Sequence, residues 1–118
     1  MKIIFDTENI EELKLNHVLL ELDTFYISST NKQQTAYCVI EPSSITELNV
    51  IASQKDLHQE LMSNFKIKNW DFCQDAIEHL TGRWHGEVDS FYHNLSDRIS
   101  MLKETELPDD WSPIIVRD

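Results

Sequence analysis

Apolar residues recur at helical spacing on both sides of the only two glycines in the chain, Gly82 and Gly86. Trp70, Cys73, Ile77 and Leu80 form one stripe; Val88, Phe91, Tyr92, Leu95, Ile99 and Leu102 form the other. Stripes of period near 3.6 broken at glycine predict an αα-hairpin with an apolar seam. The second arm, Val88–Thr105, reads as the longest helix, stopped by Leu107-Pro108. Upstream, Leu57, Leu61 and Phe65 lie at i, i+4 and i+8, with Ser53 as the expected cap. Asn69 interrupts that run and is placed to cap the helix beginning at Trp70. Ser44-Ile45-Thr46-Glu47 fits a capping box, so a short helical turn is expected there.

The N-terminal third alternates instead. Lys2–Phe5 reads as a short strand, and Asp6 or Thr7 as the cap of a short helix reaching Glu12 or Lys14. His17–Ser28 reads as a long strand in which Val18, Leu20 and Leu22 share one face. Phe25 and Ile27 fall on the opposite parity, which predicts a bulge or bend near Asp23-Thr24. Ser29–Gln34 is the turn, with Asn31 available for it, and Thr35–Glu41 is the second strand, ended by Pro42. Trp111 and Ile114-Ile115-Val116 are expected to dock a C-terminal tail on the body.

The expected fold is therefore α+β. A small N-terminal antiparallel β-hairpin or three-stranded sheet packs on a C-terminal helical hairpin or three-helix group. A single domain spans 1–118, with strands mainly in 2–41, helices mainly in 44–105 and the docking tail in 106–118.

Charge changes the picture more than composition does. Hydrophobic content is an ordinary 41%, but 21 acidic against 10 basic residues give −11. That field disfavours nucleic-acid backbones and anionic membranes, and it favours a protein partner with a basic surface. No apolar run approaches the ~18 residues of a membrane span, and no signal-peptide pattern is visible. Cys38 and Cys73 are too few for a disulfide scaffold, and each sits in an apolar run. Buried thiols and a cytoplasmic location are the expectation.

The candidate chemistry is sparse. His85, Asp89 and His93 are four residues apart and would share a helix face, a donor set suited to zinc or iron. Cys73 and His79 are about 9 Å apart along a helix and cannot form a dyad unaided. Glu21 and Asp23 share a strand parity, a geometry open to acid–base work or to a cation. Two glycines cannot build a phosphate-cradling loop, and no nucleophile elbow is present. No cofactor is expected.

Leu61 and Phe65, Asn69 at a turn, and Ala76-Ile77 beyond it resemble half of a tetratricopeptide-type helical hairpin, in one copy. The chain also resembles small uncharacterised proteins of T-even-like marine bacteriophages. That resemblance rests on Leu22-Asp23-Thr24-Phe25-Tyr26, Lys68-Asn69-Trp70-Asp71-Phe72-Cys73 and Leu107-Pro108-Asp109-Asp110-Trp111. It implies a host cytoplasm and brings no biochemical role.

Together these readings point to a non-enzymatic protein-binding or oligomeric protein, of the acidic inhibitor or immunity type. Tyr26, Tyr37, Trp84 and Trp111 are the candidate interaction residues. The alternatives are a small metal-dependent hydrolase on His85, Asp89 and His93, and a nucleic-acid mimic.

Overall fold

The computed structural model describes residues 2–5, 10–40 and 48–117, without the side chains of 2, 14–16, 48–50 and 85. In chain order the elements are β1 (Lys2–Phe5), α1 (Ile10–Asn16), β2 (Val18–Ile27), β3 (Lys32–Ile40), α2 (Leu48–Lys66), α3 (Trp70–Leu80), α4 (Asp89–Lys103) and β4 (Ile115–Arg117), with a 3₁₀ turn at Trp84–Gly86. The fold is α+β, as the pattern predicts. Four strands form one sheet in the order β1-β3-β2-β4. β1 and β2 pair antiparallel with β3, and β4 pairs parallel with β2.

Register fixes which side chains face the helices. Ile3 and Leu20 both oppose Cys38, Phe5 opposes Ala36, and Val18 opposes Ile40. Alternation puts all of them on one inner face. Between Glu21↔Tyr37 and Thr24↔Thr35, two residues of β2 oppose one of β3. This is the expected bulge. It resets the period, so Phe25 returns to the inner face with Leu22 and packs against the core.

β2 changes neighbour at the bulge. Its C-terminal half pairs with β4 at Phe25–Ile27, while its N-terminal half runs beside α2. α3 packs on α2, and α4 on α3. Cys73, Ala76, Ile77 and Leu80 on α3 and Phe91, Tyr92, Leu95 and Ile99 on α4 are buried, so the predicted seam exists. Its hinge holds three left-handed residues, Gly82 (φ 84), Trp84 (φ 55) and Gly86 (φ 76). Glycine accepts that geometry freely, but for Trp84 it costs about 1–3 kcal/mol, held in place by burial of the indole.

Three elements differ from the sequence reading. Ser53 caps nothing: it lies within α2, which begins at Leu48 and, at 19 residues, is longer than α4 at 15. Helix propagation is cooperative, and a serine with cap potential does not stop it. β3 begins at Lys32, inside the predicted turn. The docking tail ends in a fourth strand. The expected caps at Asp6 or Thr7 and at Ser44–Glu47, and the stop at Pro42, lie outside the described residues.

Candidate functional site

At the β1 end, Ile3 and Phe5 are left 48% and 45% exposed. They open onto an apolar groove of about 270 Å³, floored by Leu22 and Ala36 and walled by Phe25, Ser90 and Phe91. Ala36 is the reason a groove exists there. Its small side chain lets Phe5 and Phe25 meet across β3, ring centroids 6.4 Å apart in an edge-on contact. Asp23 touches the rim, but its carboxylate accepts a 2.8 Å charge-assisted bond from Arg98. Burial chiefly, and then the Glu87 carboxylate, raise the Cys38 thiol to about 11.

Behind the groove lies a buried polar chain. His58 is 0% exposed. Its Nε2 is 2.6 Å from the Glu21 carbonyl and its Nδ1 is 2.8 Å from the Tyr92 hydroxyl. A carbonyl only accepts, so Nε2 carries the proton, Tyr92 donates to Nδ1, and Trp84 Nε1–H donates to Tyr92 Oη at 3.1 Å. Glu21 is the last regular pair before the bulge. Its carbonyl, on the side of β2 that faces α2, is satisfied by a side chain instead of a strand. Every member of the chain has a partner when His58 is neutral. Burial lowers the pKa of His58, offset in part by the bond to the Glu21 carbonyl and by the Glu21 carboxylate. Burial pushes the Tyr92 hydroxyl well up. This chain ties β2, α2, α4 and the α3–α4 hinge together, and its role is architectural.

The residues singled out from the sequence fall in different places. Trp84 is a correction: at 5% exposure it belongs to the core and presents no surface. The seam reading placed it in a hinge, but its strained backbone turns the indole inward. Trp111 is half-buried in a triangle of rings with Phe65 (5.9 Å) and Trp70 (5.6 Å). Lys68 lies 5.9 Å over its ring. Tyr26 and Tyr37 are half-buried on the opposite, outer face of the sheet, and the Tyr26 hydroxyl donates to Asn31 Oδ1. None of the four lines the groove.

Glu21 and Asp23 do line one cleft, of about 490 Å³, between β2, α2 and the approach to β4. Each is already matched, Glu21 by Lys66 at 3.1 Å and Asp23 by Arg98 at 2.8 Å. Asp89 accepts the Gly82 N–H at 2.9 Å, which closes the hinge, and His93 is exposed on α4. The His85 side chain lies outside the described residues. Among the described residues, no three His, Cys, Asp or Glu side chains gather as a metal set. Cys73 is buried, donates to the Leu61 carbonyl at 3.7 Å, and is raised to about 11 by burial.

The groove was missed in the sequence because Lys2–Phe5 reads only as a short apolar strand, with no face assigned to Ile3 or Phe5. The available signal was a four-residue apolar strand with too little helix downstream to cover it. Among the described residues, no helix is long and apolar enough to cross a membrane. The chain matches no protein-family model, no curated protein and no solved structure.

Proposed function

We propose that this chain is a non-enzymatic binding protein that docks a protein partner with a basic surface in the groove at Ile3, Phe5, Phe25 and Phe91. The observation that carries the reading is the half-exposure of Ile3 and Phe5 together on an apolar groove, which the more exposed Ile67, Met101 and Val116 do not line. Large apolar side chains grouped on a concave surface are unfavourably hydrated, and free energy falls when an anchor residue fills the space. The chain's net charge of −11 speeds encounter with a basic partner and selects for it. Two deeply buried, high-pKa thiols suit a reducing cytoplasm, that of a host if the chain is phage-encoded.

Site-directed photo-crosslinking tests this reading. Benzoylphenylalanine replaces Phe5 in one protein and the exposed Ser100 of α4 in another. The expected result, in cells expressing each, is a discrete protein adduct from position 5 that position 100 lacks. Equal labelling from both positions contradicts it.

A further inference from the structure

We propose that the cleft between β2, α2 and the 111–114 segment binds a small organic ammonium ion with an apolar body. This is a second site, independent of the protein-binding reading; among the described residues it shares only Asp23 with the groove. At about 490 Å³ the cleft falls in the size range of small-ligand sites. Its lining is of two kinds. Met62, Phe65, Trp111, Pro113 and Ile114 supply apolar surface, whereas Glu21, Asp23 and Thr24 of β2 supply polar atoms. Apolar surface in a concavity is unfavourably hydrated, which favours a ligand body that displaces the water. Trp111 is set in place before a ligand arrives. Its ring packs edge-on against Phe65 and Trp70 at 5.9 and 5.6 Å, so little freedom remains to be lost on binding. Glu21 is set as well, because His58 holds its backbone carbonyl at 2.6 Å.

The sign of the ligand follows from the charges around the cleft. Asp23 is committed to Arg98 at 2.8 Å, and both side chains are mostly buried. Glu21 is held less firmly. Lys66 reaches its carboxylate at 3.1 and 3.4 Å, but the lysine side chain is 48% exposed and the glutamate 27%. So exposed a pair is weak. Lys66 sits on a flexible stem and can return to water, which leaves Glu21 to an incoming ammonium. The rings favour the same sign. Phe65 already holds the Arg98 guanidinium 5.4 Å over its ring, and Trp111 the Lys68 ammonium at 5.9 Å. An anion would find only Lys66 among the described lining residues, beside two carboxylates in a chain of charge −11.

The probe is 2-phenylethylammonium, with three relatives that each change one feature. 2-Phenylethanol lacks the charge, 3-phenylpropionate reverses it, and ethylammonium lacks the ring. Each is titrated at low ionic strength into the nitrogen-15-labelled full chain, and the indole N–H signals of Trp111 and Trp84 are followed by NMR. 2-Phenylethylammonium is expected to bind with a Kd of about 1 mM or tighter, the range open to a ligand of its size. It should shift Trp111 and leave the buried Trp84 in place, and the three relatives should bind at least fivefold more weakly. Glu21→Gln should weaken binding at least threefold, whereas Lys66→Met, which removes the competing cation, should tighten it. A purely structural role for the Glu21–Lys66 pair would move both variants the same way. Both should keep the wild-type far-ultraviolet spectrum. Equal binding of ethylammonium would mean diffuse attraction to an acidic surface, and equal binding of either of the other relatives would remove the ammonium from the account. Each of these results, like the absence of a Trp111 shift or weaker binding by Lys66→Met, overturns the proposal and leaves the groove untouched.

Discussion

Removing one oxygen from the core tests the buried chain of hydrogen bonds. In Tyr92→Phe the ring and its packing stay, but Trp84 Nε1–H and His58 Nδ1 lose their shared partner, now at 3.1 and 2.8 Å. A buried polar group left unpaired costs about 1–3 kcal/mol. Two such groups give about 2–6 kcal/mol. The phenol hydroxyl no longer has to be desolvated, which returns about 1–3 kcal/mol, so the net expectation is about 1–3 kcal/mol. Urea unfolding followed by tryptophan fluorescence reads this directly. With a slope of about 1–3 kcal/mol per molar urea, the midpoint falls by about 1 M at unchanged slope. Tyr26→Phe is the control, since its hydroxyl meets Asn31 at an exposed position, and its effect should stay within about 0.5 kcal/mol. A Tyr92→Phe midpoint within experimental error of wild type refutes the directed network, because the hydroxyl would then hold neither neighbour.

Further outcomes follow from the same geometry. The folded state resists protonating His58, whose pKa lies below its ordinary 6.5, so the unfolded chain binds that proton first. Stability should therefore be independent of this group above about pH 7.5 and fall as pH drops below 6.5, by up to about 1.4 kcal/mol per pH unit. His58→Gln should flatten this slope between pH 5 and 6.5, and an unchanged slope rules out His58 as its source. Cys38 and Cys73, each raised to about 11, should resist Ellman's reagent at pH 8 in the native protein and both react in guanidinium; rapid native labelling contradicts their burial. Gly82→Ala should destabilise by about 1–2 kcal/mol from backbone strain alone, because a Cβ there meets nothing within 4 Å. Gly82→Asn should cost less, and equal unfolding midpoints for the two would count against the left-handed hinge.

Some of this fold is written locally. The parity switch from Leu22 to Phe25 marks the bulge, and the glycines mark the hinge, because both signals lie within a few residues of their effect. β4 is different. It pairs Phe25 with Ile115 across 90 residues in a parallel register, and no local pattern encodes such a partner. His58 was hidden for a chemical reason. It shares a face with Ile51, Leu61, Met62 and Phe65, yet histidine scores as polar, and only a carbonyl beside the bulge and a tyrosine from α4 make its burial possible. The groove illustrates the converse. The pattern marks Lys2–Phe5 as a short apolar strand, but the facing of Ile3 and Phe5 comes from their register with β3, and nothing local says how much of them the helices cover. The candidate interaction residues drawn from aromatic content alone, Tyr26, Tyr37, Trp84 and Trp111, accordingly lie off the groove.

The most direct measurement of the central claim is a selection of random twelve-residue peptides displayed on yeast for binding to the wild-type chain, counter-screened against Phe5→Lys. The account expects enriched peptides that carry basic residues and an aromatic or branched anchor, and that lose binding to Phe5→Lys. No enrichment, or enriched peptides that bind both proteins equally, contradicts the assignment of the groove as the docking site.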